Sequence, residues 1–366
     1  MKIRFRKTEI LDSNKRKKIL KEINSIMLEK DLILGSRVNK IEKDFSKFLN
    51  CKYSILTGSG TDSIYLALQC LNLKKDDEII TTPLSWITSS SPILLNNLNP
   101  VFVDIDNDLN IDPTKIIKKI TKKTKAILLV HYTGLACNMR QIIKIAKKYN
   151  LKIIEDSSQA FGSKFENKFC GTFGDFGCFS LNPVKNLSAY GEAGLIVTDN
   201  KKYYEKLLML RYAGTKNKEY CYFPGLNFKP DTIQVPFLNL SLKNINNKIT
   251  SKQNIANHYL KHIKKKYLLN HNYIHKKIYH SYYSFIILSK KRDKLIKYLN
   301  KSGVENKIEH PILIPNQVAF KRFKKQSLDL INAKNKVKQI LSIPIREDLK
   351  SNEIKKIINL LNNFDE

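Results

Sequence analysis

One lysine lies where a chemically active amine is often found. Lys185 follows the aromatic, β-prone run FGCFSL, and Asn182 and Pro183 end that run just before it. This order predicts a loop at the end of a buried strand, which is where open α/β sheets place their chemistry. An amine there can form a Schiff base with a carbonyl compound if its positive charge is suppressed. The alternative is a solvated lysine, since the chain holds 65 Lys and Arg residues.

Two stretches upstream of this lysine point to the same chemistry. Glu155 and Asp156 end the apolar run LKIIED, which predicts a carboxylate at a strand end. Such a carboxylate can pair with a protonated ring nitrogen, as pyridoxal phosphate requires to act as an electron sink. The stretch LTGSGTDSIYLAL predicts a strand end, a turn and the start of an amphipathic helix, whose free N–H groups would hold a phosphate. Together the three features predict a pyridoxal phosphate site.

The order of these motifs resembles the DegT/DnrJ/EryC1/StrS family of sugar aminotransferases, which have the aspartate aminotransferase-like fold (fold type I). The resemblance covers nearly the whole chain. It is carried by LILGSRVNKIEKDFSKFLNCKYSILTGSGTDS, TTPLSWITSSSPILLNNLNPVFVDID, HYTGLACNM, EDSSQAFGS, GTFGDFGCFS…K…GEAG, GLNFKPDTIQ and LSIPIREDL. It implies an α/β fold, with a mostly parallel, seven-stranded type of sheet flanked by helices. We expect an N-terminal arm and this large domain in residues 1–243, and a small α+β domain in residues 244–366.

The resemblance also implies roles for individual residues. Lys185 would carry the Schiff base and be the catalytic residue, and dehydratases of the family have histidine there, so lysine favours transamination. Asp156 would pair with the ring nitrogen, and Trp86 would stack on the ring. The other expected cofactor ligands are Gly60, Thr61 and Ser180 at the phosphate, Gln159 near the ring hydroxyl, and Asn227, which would reach the phosphate of the neighbouring subunit. That last contact implies a homodimer with shared active sites.

Each of these residues also has a plainer interpretation. The polar side chains could make ordinary turn or helix-cap hydrogen bonds, and Trp86 could belong to the core. Glu309 and His310 stand where the family often has His-Tyr before proline, in a loop expected to face the substrate. They are candidate substrate-binding residues, with a solvated loop pair as the alternative. Lys229 stands where the family usually has arginine, and the two side chains are not equivalent in bidentate contacts.

The resemblance further implies the reaction. An amino acid, with L-glutamate as the expected donor, would give its amino group to a nucleotide-linked keto-sugar in amino-sugar or surface glycan biosynthesis. Gly191 lies six residues after Lys185, a spacing that resembles family members acting on 3-keto sugars more than those acting on 4-keto sugars. A small keto phosphate is an alternative acceptor. A catalytically inert relative that senses a ligand is a further alternative, and the intact Lys185 argues against it.

Composition limits the other functions. The net charge of +32 could indicate nucleic-acid binding, but the basic residues are spread through helical segments and no nucleic-acid motif is present. No nucleic-acid partner is therefore expected. There is no apolar run long enough for a transmembrane helix and no secretory signal, so we expect a cytoplasmic protein without a membrane partner. None of the six cysteines forms a CxxC pair, so no metal site is expected.

The hydrophobic pattern also predicts individual elements. Residues 1–50 have helical periodicity and are expected to form an arm that packs on the main domain. A strand is predicted over residues 100–106, a helix over 140–149, a Lys-rich helix over about 245–269 and a C-terminal helix over 352–364. His131 begins an HxxG motif and is expected to have a structural role.

Overall fold

The computed structural model describes residues 2–217, 219–269 and 278–365. The α-helices in these ranges are α1 (Ser13–Glu29), α2 (Gly35–Leu49), α3 (Gly60–Cys70), α4 (Ser91–Leu95), α5 (Pro113–Ile116), α6 (Met139–Tyr149), α7 (Lys201–Arg211), α8 (Val235–His262), α9 (Arg292–Lys301), α10 (Ile331–Val337) and α11 (Ser351–Asn362). The strands are β1 (Tyr53–Thr57), β2 (Glu78–Thr81), β3 (Asn99–Phe102), β4 (Thr124–Val130), β5 (Lys152–Asp156), β6 (Lys164–Phe165), β7 (Lys168–Phe169), β8 (Phe176–Ser180), β9 (Gly194–Thr198), β10 (Thr215–Lys216), β11 (Tyr220–Cys221), β12 (Ile278–Tyr279), β13 (Phe285–Leu288) and β14 (Ile340–Ile343). No helix in the described ranges is both long enough and apolar enough to span a membrane.

A seven-stranded sheet forms the centre of the larger part of the molecule. Its order is β1-β9-β8-β5-β4-β2-β3, and β9 alone of these seven runs antiparallel to its neighbours. The inner strands are apolar over most of their length, as expected for strands covered by helices on both faces. The predicted α/β fold with a mostly parallel seven-stranded sheet is confirmed.

Alternating side chains of the sheet pack against helices on its two faces. Ile79 and Leu128 contact the layer that contains α3 and α7. Ile80 and Ile127, the neighbours of those residues, contact the layer that contains α6. Because successive strand residues point to opposite faces, the same strands contribute side chains to the hydrophobic core on both faces of the sheet.

A second core lies between the C-terminal half of α8, the antiparallel pair β13–β14, α9 and α11. Ile3 belongs to this core and pairs with Val304 in a parallel bridge. The prediction that residues 1–50 pack on the main domain was therefore wrong for the first residues. It holds for α2, whose Phe45 is buried against the large sheet.

Two predicted elements have different bounds in the structure. The helix predicted over 245–269 is α8, which begins at Val235 because Pro236 suits the first turn of a helix. It crosses residue 244 without a break, so the division at that residue stays a prediction. The strand predicted over 100–106 ends at Phe102, and beyond it the Asp104 backbone carbonyl accepts from the Asp112 N–H, outside the sheet.

Candidate active site

A cavity of about 470 Å³ lies at the carboxyl ends of β4, β5 and β8. Its wall contains every predicted site residue except Asn227, namely Gly60, Thr61, Trp86, Asp156, Gln159, Ser180, Lys185, Glu309 and His310. These residues come from the two parts of the molecule and are far apart in sequence. Parallel strands end at the same edge of a sheet, which is why Asp156 and Ser180 meet there.

The start of α3 forms one wall of the cavity. Ser59 caps the helix, with its Oγ accepting from the Asp62 N–H at 3.1 Å. A Cβ atom on Gly60 would lie only 2.6 Å from the Cβ of Ser180, so glycine is required for α3 and β8 to approach this closely. The first N–H groups of α3 therefore lie beside the Ser180 hydroxyl, an arrangement that suits a phosphate.

Asp156 presents a buried carboxylate to the cavity. Its side chain accepts a hydrogen bond from the Ser89 hydroxyl at 2.6 Å and another from the Ser158 N–H at 3.0 Å. Ser89 is held in turn by Ser85, at 2.7 Å between the two hydroxyl oxygens. These contacts fix the direction of the Asp156 carboxylate, which is 3% exposed. A fixed, buried carboxylate suits a partner for a ring nitrogen.

Glu155, the residue before Asp156, points to the opposite side of β5 and has a structural role. Its two oxygens accept from the backbone N–H groups of Gly171, Phe173 and Gly174 at 2.6–2.7 Å. They also contact His131 Nε2 at 2.9 Å, and His131 Nδ1 accepts from a backbone N–H. His131 is fully buried, so its expected structural role is confirmed.

Lys185 lies in the turn after β8, as predicted. Its Nζ is 4.7 Å from the centre of the Tyr283 ring, so the ammonium end contacts an aromatic face. The Tyr283 hydroxyl accepts from Arg6 at 2.8 Å, and the Arg6 guanidinium also lies 4.4 Å from the same ring centre. A tyrosine that precedes β13 and an arginine of the N-terminal segment thus contact the site of the lysine.

Trp86 and Gln159 have groups available to a ligand. Trp86 is 59% exposed although its ring is in the cavity wall, so it is not the core residue of the plainer interpretation. Gln159 accepts from the Thr133 N–H at 2.7 Å through its carbonyl oxygen. Its amide nitrogen has no hydrogen-bond partner among the described residues and remains for the cavity.

Glu309 and His310 are not a solvated loop pair, and that alternative was wrong. Glu309 is 4% exposed and lies 3.4 Å from Arg6 and 3.5 Å from Lys307. Burial lowers the pKa of His310 to about 4, and the charges of Lys307 and Lys185 add to this effect. His310 is therefore neutral near pH 7, and its Nε2 atom is buried without a partner in the described part of the chain.

The cavity residues fit pyridoxal phosphate. The α3 N-terminus and Ser180 would hold the phosphate, Asp156 the ring nitrogen and Trp86 one face of the ring. Lys185 places an amine in the same wall. The individual roles of these residues toward the cofactor stay predictions.

Asn227 lies outside this cavity. It is exposed on the chain that follows the β10–β11 hairpin, where it forms a bridge with Tyr212. Lys229, in place of the usual arginine, has its Nζ 4.2 Å from the centre of the Tyr212 ring. Asn227 therefore does not line its own chain's cavity, and its contact with a neighbouring subunit stays a prediction.

Several residues of the site were not predicted. Ser89, Tyr283, Arg6 and Lys307 all contact a predicted residue. Of these, only Ser89 could have been found from a nearby motif, since it lies three residues, or about one helical turn, after Trp86. The other three come from segments that reach the cavity only in the folded chain.

Fold and site together define an aminotransferase of fold type I. Residues 13–362 match the DegT/DnrJ/EryC1/StrS aminotransferase family. The chain is 32% identical over 349 residues to a dTDP-3-amino-3,6-dideoxy-alpha-D-galactopyranose transaminase of Aneurinibacillus thermoaerophilus, covering 95% of each chain. It is 30% identical over 350 residues to a pleiotropic regulatory protein of Geobacillus stearothermophilus, covering 94% of each. Among solved structures, NtdA of Bacillus subtilis with bound cofactor PMP has a TM-score of 0.90 and 28% identity, over 98% of this chain and 84% of that one.

The chain therefore belongs to the DegT/DnrJ/EryC1/StrS aminotransferase family. It is an aminotransferase, and its cofactor is pyridoxal phosphate. The predicted family, enzyme class and cofactor are confirmed.

Proposed function

We propose that this aminotransferase transfers an amino group from an amino acid, with L-glutamate as the expected donor, to a keto-sugar linked to a nucleotide. The observation that carries the proposal is the meeting of Lys185, Asp156 and the start of α3 at one cavity. The sugar is supported by the similarity to a dTDP-amino-sugar transaminase over nearly the whole chain. The product would be an amino sugar for polysaccharide or other glycan synthesis.

Each cavity residue has a chemical task in this proposal. Pyridoxal phosphate, when bound, supplies an electron sink for the carbon that loses its proton. The Asp156 carboxylate keeps a ring nitrogen protonated, which strengthens that sink. Lys185 Nζ would take the proton from the donor α-carbon and later release it, acting first as base and then as acid. Trp86 would cover one face of the ring and keep water away from it.

The acceptor is proposed to be a 3-keto sugar, with a 4-keto sugar as the second choice. The six-residue spacing from Lys185 to Gly191 supports this position, and so does the 3-amino product in the name of the relative from Aneurinibacillus. Glu309 and His310 would contact the sugar. A neutral imidazole beside a buried carboxylate can hydrogen-bond sugar hydroxyl groups without repelling the cationic lysines.

We also propose a homodimer in which Asn227 completes the partner's phosphate site. Three exposed apolar side chains lie within seven residues before Asn227 in the sequence, since Tyr220, Tyr222 and Leu226 are 69%, 57% and 63% exposed. Apolar groups clustered in this way favour coverage by another protein surface. A second copy of the chain is the occupant that would also bring Asn227 to a phosphate. We expect the dimer to act in the cytoplasm, where free thiols such as its six cysteines persist.

The first experiment is an absorbance spectrum of the purified protein with pyridoxal phosphate, before and after glutamate is added. The proposal requires a visible band that shifts to shorter wavelength with glutamate and is missing in Lys185→Ala. Candidate keto-sugar nucleotides are then tested one by one, because a true acceptor restores the band. A folded protein that never responds to any amino donor would contradict the reaction.

A regulatory role in addition to the reaction is the second candidate function. The specific observation in its favour is the similarity to a protein named as a pleiotropic regulator. A purely regulatory protein, the alternative raised by the sequence, would leave the spectrum unchanged when glutamate is added. The presence of Lys185 in the cavity wall favours the enzyme.

A further inference from the structure

Lys252 is a buried lysine on α8, 6% exposed. In the described ranges 2–217, 219–269 and 278–365, no carboxylate oxygen lies within 4.0 Å of its Nζ. Burial lowers the pKa of Lys252 to about 7, and the nearby cations Lys248 and Arg6 act in the same direction against Glu347. An amine buried without a carboxylate is costly, so its hydrogen bonds must be important locally.

Those hydrogen bonds connect α8 with the two segments that flank the active-site lysine. Lys252 Nζ donates to Asn186 Oδ1 at 2.8 Å and to the Tyr282 carbonyl at 3.4 Å. Asn186 directly follows Lys185, and Tyr282 directly precedes Tyr283. The Lys252 amine thus binds the residue next to Lys185 and the residue next to Tyr283, whose ring Lys185 contacts.

Further contacts make this connection rigid. Asn186 is buried, and its amide nitrogen donates to the Ser281 carbonyl at 2.9 Å. Gln253, next to Lys252 on α8, donates to the His280 carbonyl at 2.9 Å. The helix therefore holds both the Lys185 turn and residues 280–282.

Lys252 and Lys185 also lie in the wall of one small cavity. Its volume is about 30 Å³, and Tyr283 and Arg6 share its wall. A space of this size holds about one water molecule. Lys252 and Lys185 thus lie around a space about the size of one water molecule.

We propose that Lys252 is a positioning residue for Lys185. By holding Asn186 and the Tyr282 carbonyl, it sets the distance between the Lys185 turn and the Tyr283 ring, and so the place of the amine that moves the proton. Proton transfer needs the reacting atoms close and aligned, and small displacements reduce rates strongly. The inference rests on the proposed function, because it assumes that Lys185 moves a proton during amino transfer.

The test compares Lys252→Met, Lys252→Arg and Asn186→Leu with the wild type, all loaded with pyridoxal phosphate. The visible circular dichroism band reports how the bound cofactor is oriented, without any turnover. Stopped-flow absorbance gives the rate of the half-reaction with glutamate. We expect Lys252→Met to change the dichroism band and to slow the half-reaction by about tenfold or more, with the half-saturating glutamate concentration nearly unchanged. Lys252→Arg should restore part of the rate.

The matched control is Lys261→Met, which removes an exposed lysine from the same helix. In the double variant of Lys252→Met and Asn186→Leu, the two effects should add only in part, since both variants break the shared Lys252–Asn186 contact and each also breaks one contact of its own. Unchanged dichroism and rate in Lys252→Met, or fully additive effects, would overturn the proposal. If Lys252→Met does not fold, Asn186→Leu decides by the same two readouts. A wild type that gives no response to glutamate would instead contradict the proposed function.

Discussion

Two adjacent carboxylates of β5 show how strand geometry assigns roles to single residues. Glu155 and Asp156 point to opposite faces because side chains alternate along a strand. Glu155 accepts three backbone N–H groups and contacts His131, so all of its capacity is used within the fold. Within the described part of the chain, the Asp156 carboxylate accepts from only Ser89 and Ser158, and it faces the cavity. Glu155 thus stabilises the fold, whereas the Asp156 carboxylate remains available to a ligand.

Trp86 provides a test of ring stacking. The ring is exposed to the cavity, so its removal should weaken cofactor binding more than it weakens the fold. We expect Trp86→Ala to raise the dissociation constant of pyridoxal phosphate by at least about threefold to tenfold, the equivalent of about 0.5–1.5 kcal/mol of aromatic contact. Titration of the visible band measures this constant. Trp86→Phe is the control and should bind nearly as well; equal weakening by both variants would argue against stacking.

His310 should make the protein sensitive to acid. Its pKa is about 4 in the folded chain and 6.5 in its ordinary range, so the unfolded chain binds more protons between these values. Stability is therefore lost as the pH falls from about 6.5 to about 4. His310→Gln removes this contribution. Urea unfolding at several pH values should show the wild type losing more stability than the variant over this range, and parallel curves would contradict the prediction.

Much of the cofactor site could be predicted because its residues stand in local motifs. Gly60, Thr61 and Lys185 each belong to a short stretch whose turn residues and flanking apolar runs fix the local structure. The contacts of Arg6 could not be predicted in this way. Its partner Glu309 is 303 residues away in sequence, and no local pattern encodes which segments meet across the core.

At the level of elements, the site depends on the contact between α3 and β8. Gly60 and Ser180 come so close that even a methyl group does not fit between them. The helix start and the strand end are thereby held as one rigid wall. Such rigidity suits a phosphate site, because pre-oriented N–H groups need no reorganisation when the anion binds.

Gly60→Ala tests this wall. The added methyl group would meet Ser180 Cβ at 2.6 Å and push α3 away from β8. We expect the affinity for pyridoxal phosphate to fall by about tenfold or more, with a smaller loss for pyridoxal, which lacks the phosphate. Binding titrations with both compounds separate the two cases. An equal loss for both would show that the methyl group disturbs the ring site as well.

Glu155 tests the anchor beneath the site. Glu155→Ala leaves buried backbone N–H groups of the 171–174 turn without an acceptor, so we expect a loss of about 3 kcal/mol or more in the free energy of unfolding. Denaturant melts measure it. Glu205→Ala is the control, since Glu205 is an exposed helix residue paired with Lys201 and should change stability by less than about 1 kcal/mol. A similar small effect for both variants would contradict the structural role of Glu155.

At the level of the whole molecule, the proposed shared site can be tested by mixing subunits. Lys185→Ala and Asn227→Ala should each be poorly active as homodimers, for different reasons. After unfolding and refolding together, half of the dimers would be mixed, and one of the two sites in each would have both residues intact. We therefore expect about a quarter of the wild-type activity to return. No recovery, in a dimer verified by sedimentation, would mean that Asn227 does not serve the partner's site.

The N-terminal segment has a consequence for anyone who shortens this protein. The family match begins at residue 13, whereas Ile3 lies in the second core, with α9 and α11, and Arg6 contacts both Tyr283 and Glu309. A chain trimmed to residues 13–362 would lose the contacts of Ile3 and Arg6. The buried Glu309 carboxylate would then have one cation fewer beside it.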